Sequence, residues 1–208
     1  MARINWGVFA ARAAQMALGI VTGAALAFQG TAVAHPPPPA CSVPVPEDDL
    51  PVPVVNPGPA DRQSIMDVIS MFNWALDEKH IAPLTELLTT DVNYEVCMSG
   101  GRAGVFSATN RIDAIGYIDG LFDELSGKGL RARHFHSNTL LHVIDDSTVV
   151  GKITLLVTLQ PAHRETPEMD YTATINATFT KSNDDWSISR WKKLTDTPTP
   201  SEIGGRAR

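Results

Sequence analysis

The chain has 208 residues, of which 43% are hydrophobic and 19% are charged, a balance typical of one globular domain with non-globular extensions. Its net charge of −6 argues against nucleic acid and anionic membrane surfaces as partners. The sequence has no phosphate-binding glycine loop, dinucleotide fingerprint or serine nucleophile elbow, so it predicts no cofactor and disfavours nucleotide-dependent and serine-hydrolase chemistry.

Residues 1–34 have the pattern of a secretory signal peptide. Arg3 and Arg12 give a basic start, residues 13–28 are mostly apolar, and Ala32-Val33-Ala34 forms a cleavage pattern. The apolar run is shorter than the roughly 20 residues that a membrane-spanning helix needs. We therefore expect an exported protein, periplasmic or secreted, that is not held in the membrane after cleavage.

Residues 35–60 are rich in proline, which predicts an extended arm or linker. Export permits a disulfide, and Cys41 and Cys97 are the two cysteines of the chain. A bridge would tie the arm to the domain, whereas two free thiols or an intermolecular pair are equally compatible with the sequence. At the other end, residues 195–208 lack hydrophobic periodicity and predict a disordered tail.

The first half of a domain over residues 61–194 is predicted to be mainly helical. Asp61 is placed to cap a first helix, and Thr109 to open a third one that ends at Gly127. Between them we expect a short helix over 81–88 and a strand over 92–98. The apolar residues of the first helix are Ile65, Val68, Ile69, Phe72 and Leu76. Those of the third helix are Ile112, Ile115, Ile118, Phe122 and Leu125.

From residue 131 onward the hydrophobic period changes to that of strands. Strand alternation over residues 131–144 places four polar residues on one face, namely His134, His136, Asn138 and His142. Burying such groups without partners costs about 2–7 kcal/mol each, so this face either meets solvent or lines a polar pocket. Further strands are expected near 149–159, 171–180 and 186–194, which makes the fold α+β with helices on one face of a mostly antiparallel sheet.

Four short motifs in this order resemble the SnoaL-like family of the nuclear transport factor 2-like superfamily. The motifs lie at Phe72 to Asp77, Leu87 to Val92, Arg133 to Asn138 and Trp186 to Arg190. The resemblance covers residues 61–194 and implies a cone-shaped, curved sheet with three helices packed on its concave face, enclosing a pocket. The fold hosts cyclases, dehydratases, isomerases, hydrolases, dehydrohalogenases and non-catalytic binding domains.

The resemblance also implies a catalytic pair. In catalytic relatives an aspartate of the first helix pairs with a strand histidine that acts as general base or acid, and these positions match Asp77 and His134. A tyrosine often stands five residues before the aspartate, but this chain has Phe72 there, which has no hydroxyl. A hydrogen bond from His134 to Asp77 would fix one imidazole tautomer and raise the basicity of the other nitrogen.

The other candidate residues are expected to bind the ligand. They are Phe72, Asn73, Tyr94, His136, Asn138 and Tyr171. The spacing of His134 and His136 on a strand also permits a metal site. However, His142 is about 26 Å from His134 along an extended strand and cannot complete that site, so no metal is predicted.

The leading hypothesis is an exported enzyme that performs cofactor-free proton transfer on a small, largely apolar organic molecule. Elimination, isomerisation and cyclisation fit equally well. The alternative is a non-catalytic module of the same fold that binds a small molecule or dimerises, with Asp77 ending a helix in solvent and His134 as an ordinary polar residue. From the resemblance we also expect a homodimer, for which the threonine-rich outer face of strand 171–181 is a candidate surface.

Overall fold

The computed structural model describes residues 41, 50–98, 104–163 and 166–196, and these form an α+β domain. Its helices are α1 (Pro59–Asp77), α2 (Ile81–Leu87) and α3 (Arg111–Gly127). Its strands are β1 (Leu88–Cys97), β2 (Gly104–Ala108), β3 (Leu130–Asp145), β4 (Thr148–Pro161), β5 (Glu168–Ser182) and β6 (Asp185–Thr195). The predicted signal peptide and residues 197–208 of the predicted tail lie outside the described residues.

The six strands form one curved sheet in the order β2-β1-β6-β5-β4-β3. All neighbours are antiparallel except β1 and β6, which run parallel. The predicted fold, with three helices packed on the concave face, is thereby confirmed. No helix in the described ranges is long and apolar enough to cross a membrane.

The core forms where α1 meets the concave face of the sheet. The α1 side chains Ile65, Ile69 and Phe72 are fully buried, as the predicted apolar stripe requires. Phe72 packs against Trp191 of β6, with ring centroids 4.7 Å apart. This contact fixes the side of the sheet on which the end of α1 lies.

The start of α1 differs from the prediction. The helix begins at Pro59, whose missing N–H is harmless in a first turn, so Asp61 lies inside that turn and does not cap the helix. Its carboxylate instead accepts hydrogen bonds from Trp186 Nε1 and Lys181 Nζ, both at 3.0 Å. These bonds lower the pKa of Asp61 and tie the start of α1 to the last hairpin.

The third helix also begins later than predicted. Asn110, and not Thr109, is its N-cap residue, with a side chain that accepts a hydrogen bond from the Asp113 backbone at 2.9 Å. Ile112, predicted to be buried, is 84% exposed. The reason is its position in the first turn, about 120° around the helix from the buried Ile118.

The sheet is larger than predicted, and β1 already begins at Leu88 and not at residue 92. No strand was predicted between residue 98 and the third helix, but Gly104–Ala108 form a short edge strand, β2, in which Phe106 pairs with Val96 of β1. At the other end, Thr195 belongs to β6 and its hydroxyl donates to the Cys97 carbonyl at 3.2 Å. Asp196 follows, with a backbone N–H that donates to the Thr172 carbonyl at 2.9 Å. Backbone pairing therefore continues past the predicted start of the tail.

A β-bulge divides β3 into two halves of opposite alternation. Its register with β4 shifts between Ser137 and Leu140, and Asn138 adopts a left-handed φ of 49°. Before the bulge, His134 faces the concave side of the sheet, whereas after it the fully buried Leu141 does so. The prediction that Asn138 and His142 share a face with His134 is therefore wrong, because the extra residue reverses the alternation.

The outward-facing His142 has a structural contact with the proline-rich arm. The Val55 N–H donates to His142 Nδ1 at 2.9 Å, and the Val143 N–H donates to the Val55 carbonyl at 2.9 Å. A disulfide joins Cys41 to Cys97 at the end of β1, with Cα atoms 5.9 Å apart. The arm is therefore anchored to both β3 and β1. Of the alternatives that the sequence left open for the two cysteines, the structure has the intrachain disulfide.

The disulfide should contribute substantially to stability because it links positions separated by 56 residues. The chain-entropy account gives about 4 kcal/mol for a loop of this length, and disulfides typically contribute about 2–4 kcal/mol. We expect the double variant Cys41→Ser with Cys97→Ser to lose that much unfolding free energy in urea denaturation. A reductant should lower the stability of the wild type and leave that of the double variant unchanged. Equal stability of the wild type and the double variant without reductant would contradict this account.

Candidate active site

The concave face of the sheet and the helices packed on it enclose a cavity of about 70 Å³. Most of its wall is apolar, including Leu76, Ile118, Phe122, Leu125, Leu155 and Val157. This volume has room for roughly five water molecules, which corresponds to an organic molecule of about one ring. A few polar side chains interrupt the apolar wall, and their arrangement determines what the cavity can do.

Asp77 and His134 are hydrogen-bonded at this cavity. The distance from His134 Nδ1 to Asp77 Oδ1 is 2.6 Å, and His134 lines the cavity wall. A carboxylate only accepts hydrogen bonds, so Nδ1 carries the proton and Nε2 keeps a lone pair when the ring is neutral. The His134 backbone N–H also donates to the Asp77 oxygens at 3.0 and 3.3 Å. Asp77 therefore fixes both the tautomer and the backbone position of His134.

The negative charge of Asp77 is balanced by a neighbouring arginine. Asp77 ends α1, where the helix dipole disfavours a carboxylate by about 0.3–1 kcal/mol. Arg133 Nη1 lies 3.7 Å from Asp77 Oδ2 and donates to Glu78 Oε1 at 2.7 Å. The bond to Arg133 lowers the pKa of Glu78, and the same bond raises the pKa of Arg133.

A second polar contact joins α1 to β3 beside this pair. Asn73 Nδ2 lies 3.1 Å from His136 Nδ1, and because an amide nitrogen only donates, His136 must offer a lone pair. Burial lowers the pKa of His136, which favours this neutral form. Asn73 is 95% buried and lines the cavity, and its Oδ1 has no hydrogen-bond partner in the described part of the chain. That oxygen is therefore a buried acceptor whose hydrogen-bonding capacity the described residues leave unused.

The sequence analysis missed the buried lysine of the cavity. Lys193 of β6 is only 8% exposed, lines the cavity, and donates from Nζ to the Tyr171 hydroxyl at 3.0 Å. A lysine side chain is ordinarily expected in solvent. The available signal was alternation, since Lys193 lies two residues after Trp191 and must share its inward face.

The structure brings some of the predicted ligand-binding residues together and separates others. Asn73, Tyr94 and Tyr171 line the cavity beside His134. Phe72 is not among the lining residues, since it packs in the core. His136 is in contact with Asn73 and does not itself line the wall, and Asn138 is exposed at the bulge. In the described ranges, no group of three His, Cys, Asp or Glu side chains could hold a metal ion.

Comparison with known proteins gives one family and many structures of similar fold. The model of the family described as SnoaL-like domain matches residues 59–192. No curated protein matches the sequence. A candidate scytalone dehydratase from Novosphingobium aromaticivorans is 18% identical with a TM-score of 0.54, covering 72% of this chain and 96% of that one.

Two further solved structures are similar in fold. ActVI-ORFA from Streptomyces coelicolor is 15% identical with a TM-score of 0.57, covering 69% of this chain and 100% of that one. The β subunit of a candidate aromatic-ring-hydroxylating dioxygenase from Novosphingobium aromaticivorans is 15% identical with a TM-score of 0.58, covering 69% of this chain and 94% of that one. At these identities the similarity establishes the fold alone.

The contact between His136 and Asn73 predicts a pH-dependent stability. Because burial holds the pKa of His136 below its usual value of 6.5, the unfolded chain binds a proton at a higher pH than the folded chain. The free energy of unfolding should therefore fall as the pH decreases from about 7 through 6.5, and level off below the folded pKa. Urea denaturation at a series of pH values measures this.

The matched variants are His136→Gln, which keeps an acceptor for Asn73, and His163→Gln at an exposed position. We expect the first to flatten the pH dependence in this window and the second to keep it. Asp61, Glu78 and Asp145 also have lowered pKa values, but these carboxylates lose their stabilising effect only below about pH 4.5. Their titration therefore does not overlap with that of His136. If the free energy of unfolding of His136→Gln depends on pH as strongly as that of the wild type, the effect belongs to another group.

Proposed function

The chain belongs to the SnoaL-like domain family, as its motifs predicted, and we propose that it is a small-molecule enzyme that performs cofactor-free acid/base chemistry in this cavity. The observation that carries the proposal is the 2.6 Å hydrogen bond between Asp77 and His134 at the cavity wall. His134 is the general base or acid, and Asp77 holds it in position.

The geometry supports this assignment of roles. With Nδ1 donating to Asp77, His134 presents Nε2 as the nitrogen available to a molecule in the cavity. When Nε2 takes a proton, the imidazolium is stabilised by the adjacent carboxylate, whose side chain is only 8% exposed. The imidazolium can return the proton to another atom of the same molecule, so one residue can act in both directions.

The apolar wall supports a small, largely apolar organic substrate, and its proton chemistry would be an elimination, isomerisation or cyclisation. The similarity in fold to a candidate scytalone dehydratase supports the first of these. The alternative, a non-catalytic binding or dimerisation module, is favoured by the similarity to a β subunit of a larger enzyme. Phe72 adds to it, because the hydroxyl expected from catalytic relatives is missing at that position.

Proton abstraction can be tested before the substrate is known. A panel of single-ring ketones is incubated with the protein in heavy water, and deuterium uptake at carbon is measured by mass spectrometry. We expect the wild type to accelerate uptake for at least one ketone, and His134→Gln to lose about 10²–10⁴-fold of that rate, the usual contribution of a general base. Asp77→Asn should also lose rate, because an amide no longer favours the required tautomer.

The matched control is His163→Gln, which removes an imidazole from an exposed connection outside the cavity and should exchange deuterium like the wild type. Retention of the wild-type rate by His134→Gln would refute the proposed base. If panel members bind but no uptake exceeds that of a protein-free sample, the binding module is the better description.

We also propose that the protein is exported. The composition of residues 1–34 supports this, and so does the disulfide between Cys41 and Cys97, because disulfides persist in oxidising compartments. The N-terminal residue of the protein recovered outside the cytoplasm tests the proposal. His35 is the expected first residue, and retention of the intact N-terminus in the cytoplasm would contradict it.

Homodimer formation is a further proposal, which rests on the family resemblance. The outer face of β5 supports it, since Thr172, Thr174, Thr178 and Thr180 alternate along that face and are partly exposed. Light scattering measures the molar mass in solution, and twice the mass of one chain is expected. A monomer at micromolar concentration would contradict the proposal.

A further inference from the structure

A line of buried side chains crosses the outer face of the sheet, the face opposite the helices. An antiparallel sheet that packs helices on one face commonly exposes the other face to solvent. Four outward-pointing side chains on neighbouring strands are nevertheless at most 4% exposed, and we call them the buried track. They are Cys97 of β1, Lys192 of β6, Asn176 of β5 and Val150 of β4. The three helices of the described ranges lie on the other face, so none of them explains this burial.

Alternation and register show that the track is continuous. On β4, β5 and β6, the residues on either side of each track residue are buried on the inner face. Asn176 pairs with Lys192, and Val150 pairs with His142 of β3. Cys97 and Val150 are each displaced from the Lys192–Asn176 row by two residues, in opposite directions along the strands. The track is therefore a diagonal that runs from Cys97 on β1 to His142 on β3.

The proline-rich arm is attached at both ends of this diagonal. Cys41 is bonded to Cys97, and the Val55 N–H donates to His142 Nδ1 at 2.9 Å. Four strand spacings and four residues along the strands separate the two ends, which is about 23 Å in a flat sheet. The 14 peptide steps from Cys41 to Val55 reach about 43 Å in a polyproline conformation, so the arm is long enough to cross the face. Residues 42–49 of the arm lie outside the described residues.

The charges of the arm and of the outer face are complementary. Near its middle the arm contains the acidic triplet, defined as Glu47, Asp48 and Asp49. The middle of the outer face contains more basic than acidic side chains, namely Lys152, Arg190 and Lys192 against Glu95. Burying a lysine is costly unless negative charge lies close to it, and the acidic triplet adds such charge to that of Glu95.

The C-terminal tail is a poorer match for the same surface. It begins after Asp196, and the charged side chains of residues 197–208 are Glu202, Arg206 and Arg208. This excess of basic side chains has the same sign as that of the outer face, so the tail would be repelled where the acidic triplet is attracted.

From these observations we propose that residues 42–49 of the chain dock on the buried track, with the acidic triplet against the basic side chains of β4 and β6. The disulfide and the Val55 contacts hold the two ends of the arm, and the triplet holds its middle. The threonines of β5 on either side of Asn176 are partly exposed, and they remain a surface for the second copy proposed above. The docking is independent of the chemistry in the cavity, which lies on the other face.

Two adjacent lysines of β6 make the proposal testable, because they lie on opposite faces. Lys192 is on the track, whereas Lys193 lines the cavity, and both are buried. The folded, oxidised protein is treated briefly with acetic anhydride, and acetylation of each lysine is measured by peptide mass spectrometry. In the wild type we expect both to react slowly in comparison with Lys128, whose side chain is 50% exposed.

The variant Glu47→Gln with Asp48→Asn and Asp49→Asn removes the charges of the triplet and keeps the side-chain sizes. We expect it to acetylate Lys192 about tenfold faster, the effect of losing several surface ion pairs, and to leave Lys193 protected. Unfolding would expose both lysines, so this pattern distinguishes release of the arm from loss of the fold.

Two further variants complete the comparison. Cys41→Ser with Cys97→Ser detaches one end of the arm and should also speed acetylation of Lys192 alone. Glu202→Gln removes a carboxylate from the tail and should behave like the wild type.

A cross-linking measurement needs no variant. A carbodiimide joins carboxylates directly to amines in contact with them, and we expect it to join the acidic triplet to Lys152 or Lys192 of the same chain. Cross-links of the triplet to other lysines only would overturn the proposal.

Three results of the acetylation experiment would also overturn it. The first is fast acetylation of Lys192 in the wild type, and the second is wild-type protection of Lys192 in both the triplet and the cysteine variants. The third is protection that falls when the wild type is diluted, because a second copy and not the arm would then cover the track.

Discussion

The carboxylate of Asp77 is the contact on which the geometry of the site depends. It accepts hydrogen bonds from both the backbone and the ring of His134, so the last residue of α1 is joined to the middle of the first half of β3. The Asn73 to His136 contact lies one turn earlier on α1 and two residues later on β3, and it reinforces the same alignment. Because these contacts hold α1 over the sheet, the cavity beneath its C-terminal end keeps its shape and His134 keeps its orientation.

Phe72 illustrates how the site departs from the pattern that the family resemblance implies. The ring lies in the core against Trp191, and Trp191 itself lines the cavity, so Phe72 supports the wall from behind. Tyrosines of two strands line the cavity instead, Tyr94 of β1 and Tyr171 of β5. The tyrosine side chains of this cavity wall therefore come from the sheet and not from α1.

Much of the fold follows from hydrophobic periodicity, and the exceptions have local causes. The stripe of α1 and the alternation of β5 were sufficient to place Ile65, Phe72 and Tyr171 correctly, since burial decides such positions. The bulge at Asn138 was not predictable, because a polar strand face gives no signal when its alternation reverses. Lys193 was missed for a different reason: alternation after Trp191 points it inward, but its burial depends on Tyr171, which lies 22 residues earlier on the neighbouring strand β5 and cannot be identified from β6 alone.

The central place of β6 has a consequence for biosynthesis. This strand, the last in the described part of the chain, lies between β1 and β5, and its parallel pairing with β1 joins residues as far apart as Leu88 and Ile188, 100 positions along the chain. A nascent polypeptide still lacking β6 can form the helices and the hairpins of β3, β4 and β5, but it exposes the unpaired edges of both β1 and β5. The domain therefore closes only when its C-terminal strand leaves the ribosome, and until then these two edges are the sites where a chaperone would protect the chain.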